Sequence, residues 1–246
     1  VVGYGMYNAN NIQIKTMNIT LPKKGSNLTE LDVAFLSDTH FSPITGYDKA
    51  EQIHQLLEGI KPDLILMGGD IIDDKAHHLI RHDIDKKLKE IKAPLGVITI
   101  NGNHEFIQRT GIKLLADSMM VIDNNLVIVG REDLSINRFA NKKRKELTEL
   151  MAPANALNLP VILLDHQPFN LEQAEQTGVD FQLSGHTHNG QLFPANLVVQ
   201  RIYEMAWGYL KKGKTQYYVS SGAGAWGPPV RLGSDAEIML FKIKFE

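Results

Sequence analysis

The chain has 246 residues, of which 43% are hydrophobic and 22% are charged, and its formal net charge is −2. This length is sufficient for one large domain or two small ones with a sizeable core, and the small net charge gives no support for a nucleic-acid-binding protein that relies on bulk positive charge. The sequence contains no cysteine, which excludes disulfides, thiolate zinc sites and cysteine nucleophiles. Any metal ion must therefore be bound by His, Asp, Glu, Asn or backbone oxygen.

The first ten residues, VVGYGMYNAN, are apolar, aromatic and glycine-containing, and they do not begin with methionine. Two interpretations, which do not exclude one another, are an unstructured end and the remainder of a signal or membrane anchor removed upstream. Residues 12–21 alternate apolar and polar side chains as an edge strand does. We therefore assign residues 1–20 to an N-terminal segment with an edge strand and residues 21–246 to a single domain. No run of about 20 apolar residues occurs, so no membrane-spanning segment is predicted.

Eight apolar, β-branched runs farther along the chain predict strands, because each is closed by small or polar residues. They lie at residues 31–38, 63–70, 95–104, 126–130, 160–166, 181–188, 216–222 and 237–245. Amphipathic patterns between them predict helices at residues 48–60, 83–91, 141–151 and 170–178. Strands that alternate with helices indicate an α/β protein, and the pattern alone favours a single doubly wound sheet.

Polar side chains follow five of these strands at the point where each strand ends. They are Asp38 and His40, Asp70, Asn103 and His104, Asp165 and His166, and His186 and His188. Because ligands bind at the carboxyl edge of the strands in open α/β sheets, we expect these side chains to converge on one rim. Asp165 is expected to orient its neighbour His166 or nearby backbone.

The residue types at this rim indicate a site for two metal ions. Imidazole and carboxylate ligands suit divalent Zn, Mn or Fe. Seven candidate ligands are too many for one tetrahedral ion but suffice for two divalent metal ions if one carboxylate bridges them: Asp38, His40, Asp70, Asn103, His166, His186 and His188. Two cations about 3.5–4 Å apart stabilise both the attacking and the leaving oxygen in phosphoryl transfer. The expected reaction is hydrolysis of a phosphoester, with a metal-bridging hydroxide attacking phosphorus in line.

The motifs DTH, GGD, GNHE, DHQP and GHTH occur in this order at the predicted strand ends. In this arrangement they resemble the motifs of the calcineurin-like metallophosphoesterases, and the resemblance extends over about residues 30–245. It implies a metallophosphoesterase enzyme. It also implies a four-layer α/β/β/α sandwich of two mixed β-sheets in place of a single doubly wound sheet.

The resemblance divides the ligands between two cations that Asp70 bridges. The first cation would be bound by Asp38, His40 and His188, and the second by Asn103, His166 and His186. Asn103 would also contact substrate. His104 would act as a general acid at the leaving oxygen or stabilise charge there.

Within the superfamily, GHTHNGQ and SSGAGAWGPPVRLG are most similar to a bacterial branch of membrane-associated or exported phosphodiesterases and phosphohydrolases. One relative in this branch is a pyrophosphohydrolase that acts on a UDP-linked diacylglucosamine. The similarity implies a phosphodiester or pyrophosphate substrate, lipid-linked or nucleotide-linked. Nucleic acid is not expected as a partner, because the chain is mildly acidic. It also implies a catalytic domain that is membrane-associated or exported and faces the extracytoplasmic side, with the cytoplasmic face as the alternative. Arg231 is expected to hold substrate phosphate, because its planar fork matches phosphate oxygens.

Alternative functions and the roles of two residue groups stay open at this point. The alternative functions are a phosphomonoesterase or a nuclease of the same fold. A binding scaffold that has lost catalysis is disfavoured, because every ligand position and His104 are filled. A second histidine cluster, His77, His78 and His82, is typical of a solvated helix face, with pocket lining as the alternative. Trp226 in the Gly/Pro loop either packs against the protein or stacks on a substrate group.

Overall fold

The computed structural model of the chain describes residues 1–42, 46–72, 83–100, 107, 109–135 and 143–246. The strands of the first sheet are β1 (Gln13–Leu21), β2 (Glu30–Leu36), β3 (Leu64–Met67), β4 (Val97–Ile100), β5 (Lys113–Leu115) and β12 (Glu237–Phe245). Their order is β1-β12-β2-β3-β4-β5. β12 runs antiparallel to β2, whereas the other neighbouring pairs are parallel. β1 lies at the edge of this mixed sheet, which confirms the predicted edge strand.

The second sheet is also mixed. Its strands are β6 (Ser118–Ile122), β7 (Leu126–Gly130), β8 (Val161–Leu164), β9 (Phe181–Ser184), β10 (Gly208–Lys212) and β11 (Thr215–Val219). Their order is β10-β11-β9-β8-β7-β6. The outer pairs β6–β7 and β10–β11 are antiparallel and the inner pairs are parallel.

The two sheets pack face to face, which explains why the central strands are apolar on both faces. Val33 and Phe35 of β2 are buried in a core shared with Phe181 of β9. Ala34 and Leu36, which alternate with them along β2, are buried in a separate core on the opposite face. A strand with a period of two can fill both cores only if both of its alternating sets are apolar.

Helices cover the outer face of each sheet. α2 (Gly46–Ile60) and α3 (Ile84–Glu90) pack on the first sheet through side chains such as Ile53 and Leu88. α4 (Leu147–Ala156) and α5 (Leu171–Thr177) pack on the second sheet through side chains such as Leu150 and Ala174. The layer order is therefore helix, sheet, sheet, helix, which confirms the four-layer α/β/β/α sandwich. A single doubly wound sheet is wrong because the inter-sheet core divides the strands into two layers.

The sequence pattern misses several short elements. It does not predict β5, β6, β10, α1 (Val2–Asn10) or α6 (Ala195–Ile202). The three strands contain exposed or half-exposed residues and are stabilised by pairing with a neighbour, a context that local periodicity does not reveal. α4 begins at Leu147, so that residues 143–146, although predicted helical, lie outside the helix.

The N-terminal segment is not unstructured, because α1 docks on the loop that precedes β12. Asn8 Nδ2 donates a hydrogen bond to the carbonyl of Ser234 at 2.9 Å, and the carbonyl of Gly5 accepts one from the amide of Arg231 at 2.9 Å. A Cβ at Gly5 would lie only 2.6 Å from Val230 Cγ1, so glycine permits this close approach. Among the helices in the described residues, none is both long and apolar enough to cross a bilayer.

Candidate metal centre

Six of the predicted ligands follow strands of both sheets. In the first sheet Asp38 and His40 follow β2 and Asp70 follows β3, and in the second His166 follows β8 and His186 and His188 follow β9. The amides of Asp38 and His40 donate to the carbonyls of Gly69 and Asp70 at 2.9 and 3.1 Å. The amide of His186 donates to both carboxylate oxygens of Asp38 at 3.0 Å, which joins the two sheets. The side chains converge as expected, but on a rim that the two sheets share.

The backbone turns sharply at these ligands. The φ angles of Asp38, His40, Asp70, His186 and His188 are 52°, 47°, 48°, 70° and 49°. The left-handed region costs a non-glycine residue about 1–2 kcal/mol, and such strain concentrates at functional sites. The turns take the side chains out of the pleat of the strand and direct them toward the rim. Their occurrence at five predicted ligands favours a functional role for this rim.

The ligands form two neighbouring groups. The first triad is Asp38, His40 and His188, and the second triad is Asp70, His166 and His186; the potential ligand atoms of each lie within 4.8 Å of one another. Asp38 Oδ1 lies 3.6 Å from Nε2 of His188 and 3.9 Å from Nε2 of His166, so the two triads adjoin. Asp38 and the four histidines are grouped as the family resemblance implies, whereas the place of Asn103, the bridging role of Asp70 and the ligand roles themselves stay predictions.

The spacing of donor atoms within each triad fits a divalent cation. His40 Nε2 and His188 Nε2 are 3.0 Å apart, and His166 Nε2 and His186 Nδ1 are 3.3 Å apart. Two imidazole nitrogens bound to one cation at about 2.1 Å lie roughly 3.0–3.4 Å apart when the angle between them is about 90–109°. The donor set of imidazole and carboxylate suits Zn, Mn or Fe. The residues present therefore fit the metal ions that the sequence predicts.

The electrostatic surroundings set the protonation state of four triad residues. Burial acts to raise the pKa of Asp70, but a hydrogen bond from His166 and the nearby imidazoles outweigh it and lower that pKa well below its usual range. Burial lowers the pKa of His188 to about 3, and the charge of Arg231 also lowers it. Burial likewise lowers the pKa of His186. Asp70 is therefore ionised, and His186 and His188 are neutral at pH 7, the forms that bind metal. Burial acts to lower the pKa of His166, but its hydrogen bond to Asp70 and the nearby carboxylates outweigh burial and raise that pKa to about 10, so a cation bound at this imidazole would displace a proton.

His166 is oriented by the backbone, not by its neighbour Asp165. His166 Nδ1 donates to the carbonyl of Gly68 at 2.8 Å, which leaves Nε2 directed at Asp70, 3.3 Å away. Asp165 instead accepts hydrogen bonds from Arg131 at 2.9 Å and from Arg144 at 3.1 Å. The expectation that Asp165 orients His166 is wrong, because two buried guanidinium groups occupy its carboxylate.

Arg231 is completely buried, with 0% of its surface exposed. Its guanidinium donates to the carbonyls of Ser221 and Asp235 at 2.6 and 3.0 Å and to Ser234 Oγ at 3.1 Å. It also bonds to the carbonyl of Gly224, and Nη2 lies 3.2 Å from His188 Nδ1. The predicted contact with substrate phosphate is not favoured by this geometry, because the donors are directed at the protein.

Several predicted residues lie outside the described part of the chain. They are the ligand Asn103, the acid His104, and the histidine cluster His77, His78 and His82. Their roles stay predictions that rest on the sequence motifs.

A cavity of about 330 Å³ opens in front of the two triads. Its floor includes the candidate ligands His40, Asp70, His186 and His188. Its walls include Gln191, Ala195, Val199 and Trp226. The sequence pattern does not indicate a role for Gln191, Ala195 or Val199, although Gln191 ends the GHTHNGQ motif. The placement of α6 beside the site depends on tertiary packing.

Gly185 is required for the contact between the two sheets at the site. A Cβ at this position would overlap Asp38 Oδ2 and lie 2.5 Å from Ser37 Oγ. We expect Gly185→Ala to displace the Asp38 carboxylate and to weaken divalent metal binding by at least about tenfold, measured by equilibrium dialysis with Mn²⁺ or Zn²⁺. Gly59→Ala is the matched control, because its Cβ would meet no atom within 4 Å. Equal metal affinity of the two variants would contradict this view of Gly185.

The chain is similar to a known protein family and to individual bacterial proteins. A family model described as calcineurin-like phosphoesterase matches residues 31–190. An uncharacterized metallophosphoesterase of Aquifex aeolicus is 31% identical over 228 residues, which cover 88% of this chain and 86% of that protein. An uncharacterized metallophosphoesterase of Helicobacter pylori is 30% identical, over 87% of this chain and 60% of that protein.

Two further similarities concern length and fold. A Danio rerio protein described as a transmembrane protein with metallophosphoesterase domain is 28% identical over 98% of this chain but only 60% of its own length. The chain thus spans less than two thirds of several relatives. Among solved structures, Plasmodium GAP50, described as the anchor in the inner membrane complex, has a TM-score of 0.51 at 10% identity, over 87% of this chain and 80% of that chain. At this low identity the similarity supports the fold alone.

Proposed function

Because the chain belongs to the calcineurin-like phosphoesterase family and is thus a metallophosphoesterase, we propose that it is a dinuclear metal-dependent phosphohydrolase, either a phosphodiesterase or a pyrophosphohydrolase. The observation that carries this proposal is the pair of adjoining triads. Each triad provides one carboxylate and two imidazoles with a spacing that fits a cation, and members of both line the same cavity. A phosphate in this cavity would face both triads at once.

Each residue at the rim has a role under this proposal. The first triad would hold one cation, the second triad with Asn103 would hold the other, and Asp70 would be shared. When bound, two divalent cations activate water for in-line attack on phosphorus and neutralise developing charge. Asn103 would also contact the substrate, and His104 would give a proton to the leaving oxygen. The support for Asn103 and His104 is the GNHE motif.

The protein surroundings of the ligands would hold them in place for catalysis. The carbonyl of Gly68 fixes the ring of His166, and the amide of His186 fixes both oxygens of Asp38. Partners of this kind orient ligands, and their loss commonly lowers metal affinity or activity by about 10–100-fold. The metal would be Mn, Zn or Fe, since these ions suit imidazole and carboxylate.

A lipid-linked or nucleotide-linked phosphodiester or pyrophosphate is the proposed substrate class, with nucleic acid not expected. We propose that the whole protein is membrane-associated or exported, with the catalytic domain on the extracytoplasmic side and the cytoplasmic face as the alternative. The support for membrane association is the resemblance of GHTHNGQ and the C-terminal motif to a membrane-associated branch, together with the Danio rerio relative whose description includes a transmembrane protein.

The proposal is tested with bis(4-nitrophenyl) phosphate, 4-nitrophenyl phosphate and a nucleotide diphosphosugar. We expect metal-stripped protein to be inactive, and we expect Mn²⁺, Zn²⁺ or Fe²⁺ to restore hydrolysis as about two ions bind per chain. The diester or the pyrophosphate should be hydrolysed faster than the monoester. Faster hydrolysis of the monoester would favour the phosphomonoesterase alternative, and cleavage of DNA or RNA would favour the nuclease. Protein that binds two ions but hydrolyses none of these would contradict the proposal.

A further inference from the structure

One wall of the metal cavity is apolar. Ala195 and Val199 line it from α6, and Trp226 lines it from the loop that precedes β12. Ala195 and Val199 are four residues apart and therefore lie on the same face of the helix. Among the described residues that line the cavity, no lysine or arginine occurs. The part of a substrate that contacts this wall would therefore meet apolar surface rather than a positive charge.

Trp226 presents an exposed indole on a fixed backbone. Its side chain and backbone together are 70% exposed, which leaves the ring accessible from the cavity that it lines. Its amide donates to Gln191 Oε1 at 2.8 Å, and its carbonyl accepts from Gln191 Nε2 at 3.0 Å. Gln191 is itself 92% buried, its relative exposure being 8%. The two hydrogen bonds hold the backbone of Trp226 at the cavity mouth, which lowers the entropy lost when a ligand contacts the ring.

The position of α6 is also fixed relative to the site, by a close contact with the turn that follows His188. Gly190 lies two residues after His188 and has a φ of 76°. A Cβ at Gly190 would overlap the backbone of Asn196 in the first turn of α6. The helix thus rests directly on the turn that follows the candidate ligand, and the distance between the apolar wall and the first triad is set by this contact.

We propose that Ala195, Val199 and Trp226 form a subsite for an apolar group that is joined to the substrate phosphate, such as an alkyl chain or an aromatic ring. The subsite rests on the proposed function, because the phosphate must lie at the two triads for its substituent to reach the wall. It specifies the substrate class as phosphoesters with an apolar organic group next to the phosphate. Esters whose neighbouring group is small and polar, such as glycerol, would lack this contact.

Direct binding of two phosphonates to the metal-loaded protein tests the subsite without requiring catalysis. Methylphosphonate and hexylphosphonate have the same head group and differ only in apolar length. Each buried methylene adds to affinity, so we expect hexylphosphonate to bind at least about tenfold more tightly, measured by isothermal titration calorimetry. Hydrolysis of bis(4-nitrophenyl) phosphate by the same preparation reports separately on the proposed function. A failure of the subsite proposal can therefore be distinguished from a failure of the proposed function.

Substitutions in the apolar wall test whether it causes the tighter binding of hexylphosphonate. Trp226→Ala and Val199→Ser are expected to reduce the affinity ratio of the two phosphonates to about twofold or less, whereas Trp226→Phe should keep most of it. The affinity for methylphosphonate should not change in these variants, and this result would show that the metal centre is intact. Leu157→Ala is the matched control, because Leu157 is 43% exposed at the end of α4 and does not line the cavity.

The proposal also predicts a spectroscopic change. In a Trp207→Phe background Trp226 is the remaining tryptophan of the two in the sequence, so its emission should shift to shorter wavelength when hexylphosphonate, but not methylphosphonate, covers the ring. Equal affinity of the two phosphonates for the wild-type protein would overturn the subsite. Undetectable binding of hexylphosphonate, or an affinity ratio that Trp226→Ala leaves unchanged, would overturn it as well.

Discussion

Replacing Asp70 with Asn is expected to abolish tight binding of at least one of the two divalent cations and to lower kcat/KM for bis(4-nitrophenyl) phosphate by more than about 100-fold. The substitution keeps the size of the side chain but removes its negative charge. Asp70 Oδ2 lies 3.3 Å from His166 Nε2, and its side chain is 46% exposed toward the cavity. With a neutral amide at this position, His166 and His186 would remain as the imidazole ligands of the second triad, but its negatively charged ligand would be lost.

Metal content after dialysis, measured by inductively coupled plasma mass spectrometry, and steady-state kinetics check this expectation. Asp32→Asn is the matched control, because Asp32 forms a surface ion pair with Lys242 at 2.8 Å and such pairs contribute little to stability. We expect the control to keep both ions and its activity. If Asp70→Asn retained two ions and the wild-type rate, the shared role of Asp70 and the two-metal proposal would both be wrong.

Replacing Arg231 with Met is expected to lower the free energy of unfolding by at least about 3 kcal/mol, because each buried acceptor left without a donor costs about 1–3 kcal/mol. The carbonyls of Ser221, Gly224 and Asp235 would all lose a donor. Urea unfolding followed by circular dichroism measures the change. Arg201→Met is the control, because Arg201 is exposed on α6; its effect should be small.

The same variant distinguishes between two roles for Arg231. The loop that Arg231 holds packs on the first triad, since the amides of Ala223 and Gly224 donate to the carbonyls of Ser37 and Asp38 at 2.8 Å. If the role is positioning, stability and metal affinity should fall together. If Arg231 holds substrate phosphate, as the sequence predicts, stability should be unchanged and KM alone should rise. Arg231→Lys keeps the charge but not the planar fork, so it should restore stability only in part.

The fold was predicted correctly where strands are long and buried. β2, β7 and β12 closely match the predicted runs. β7 is buried throughout and β2 is buried from Val33 onward, so both alternating sets of side chains there are apolar. β12 is buried up to Phe241 and then alternates with the exposed Lys242 and Lys244. The assignment of strands to two sheets was not available from periodicity, since β3 and β8 have the same apolar pattern but belong to different layers. The family resemblance supplied the four-layer order that the pattern alone did not.

The candidate ligands could be identified from the sequence because polar residues at the ends of apolar strands stand out against their surroundings. Asp38, Asp70 and His166 each follow a buried run, and burial of such groups is unfavourable unless a partner is present. Six of the seven predicted ligands are indeed neighbours at the rim, and the seventh, Asn103, lies outside the described residues. Residue type and position relative to the strand were sufficient for that prediction.

The support of these residues and their surroundings depend on long-range packing. Arg231 resembles a phosphate ligand in the sequence, but its guanidinium is enclosed by carbonyls of its own loop. Trp226 and Val199 are 27 positions apart in the chain but line one wall of the cavity. Gln191 holds the backbone of Trp226 by a hydrogen bond, and the close contact at Gly190 positions the helix that carries Val199. Such contacts depend on the packing of segments distant in the chain, which local pattern does not encode. Polar residues at the end of an apolar strand look alike in the sequence, whichever sheet, loop or cavity lies opposite them in the fold.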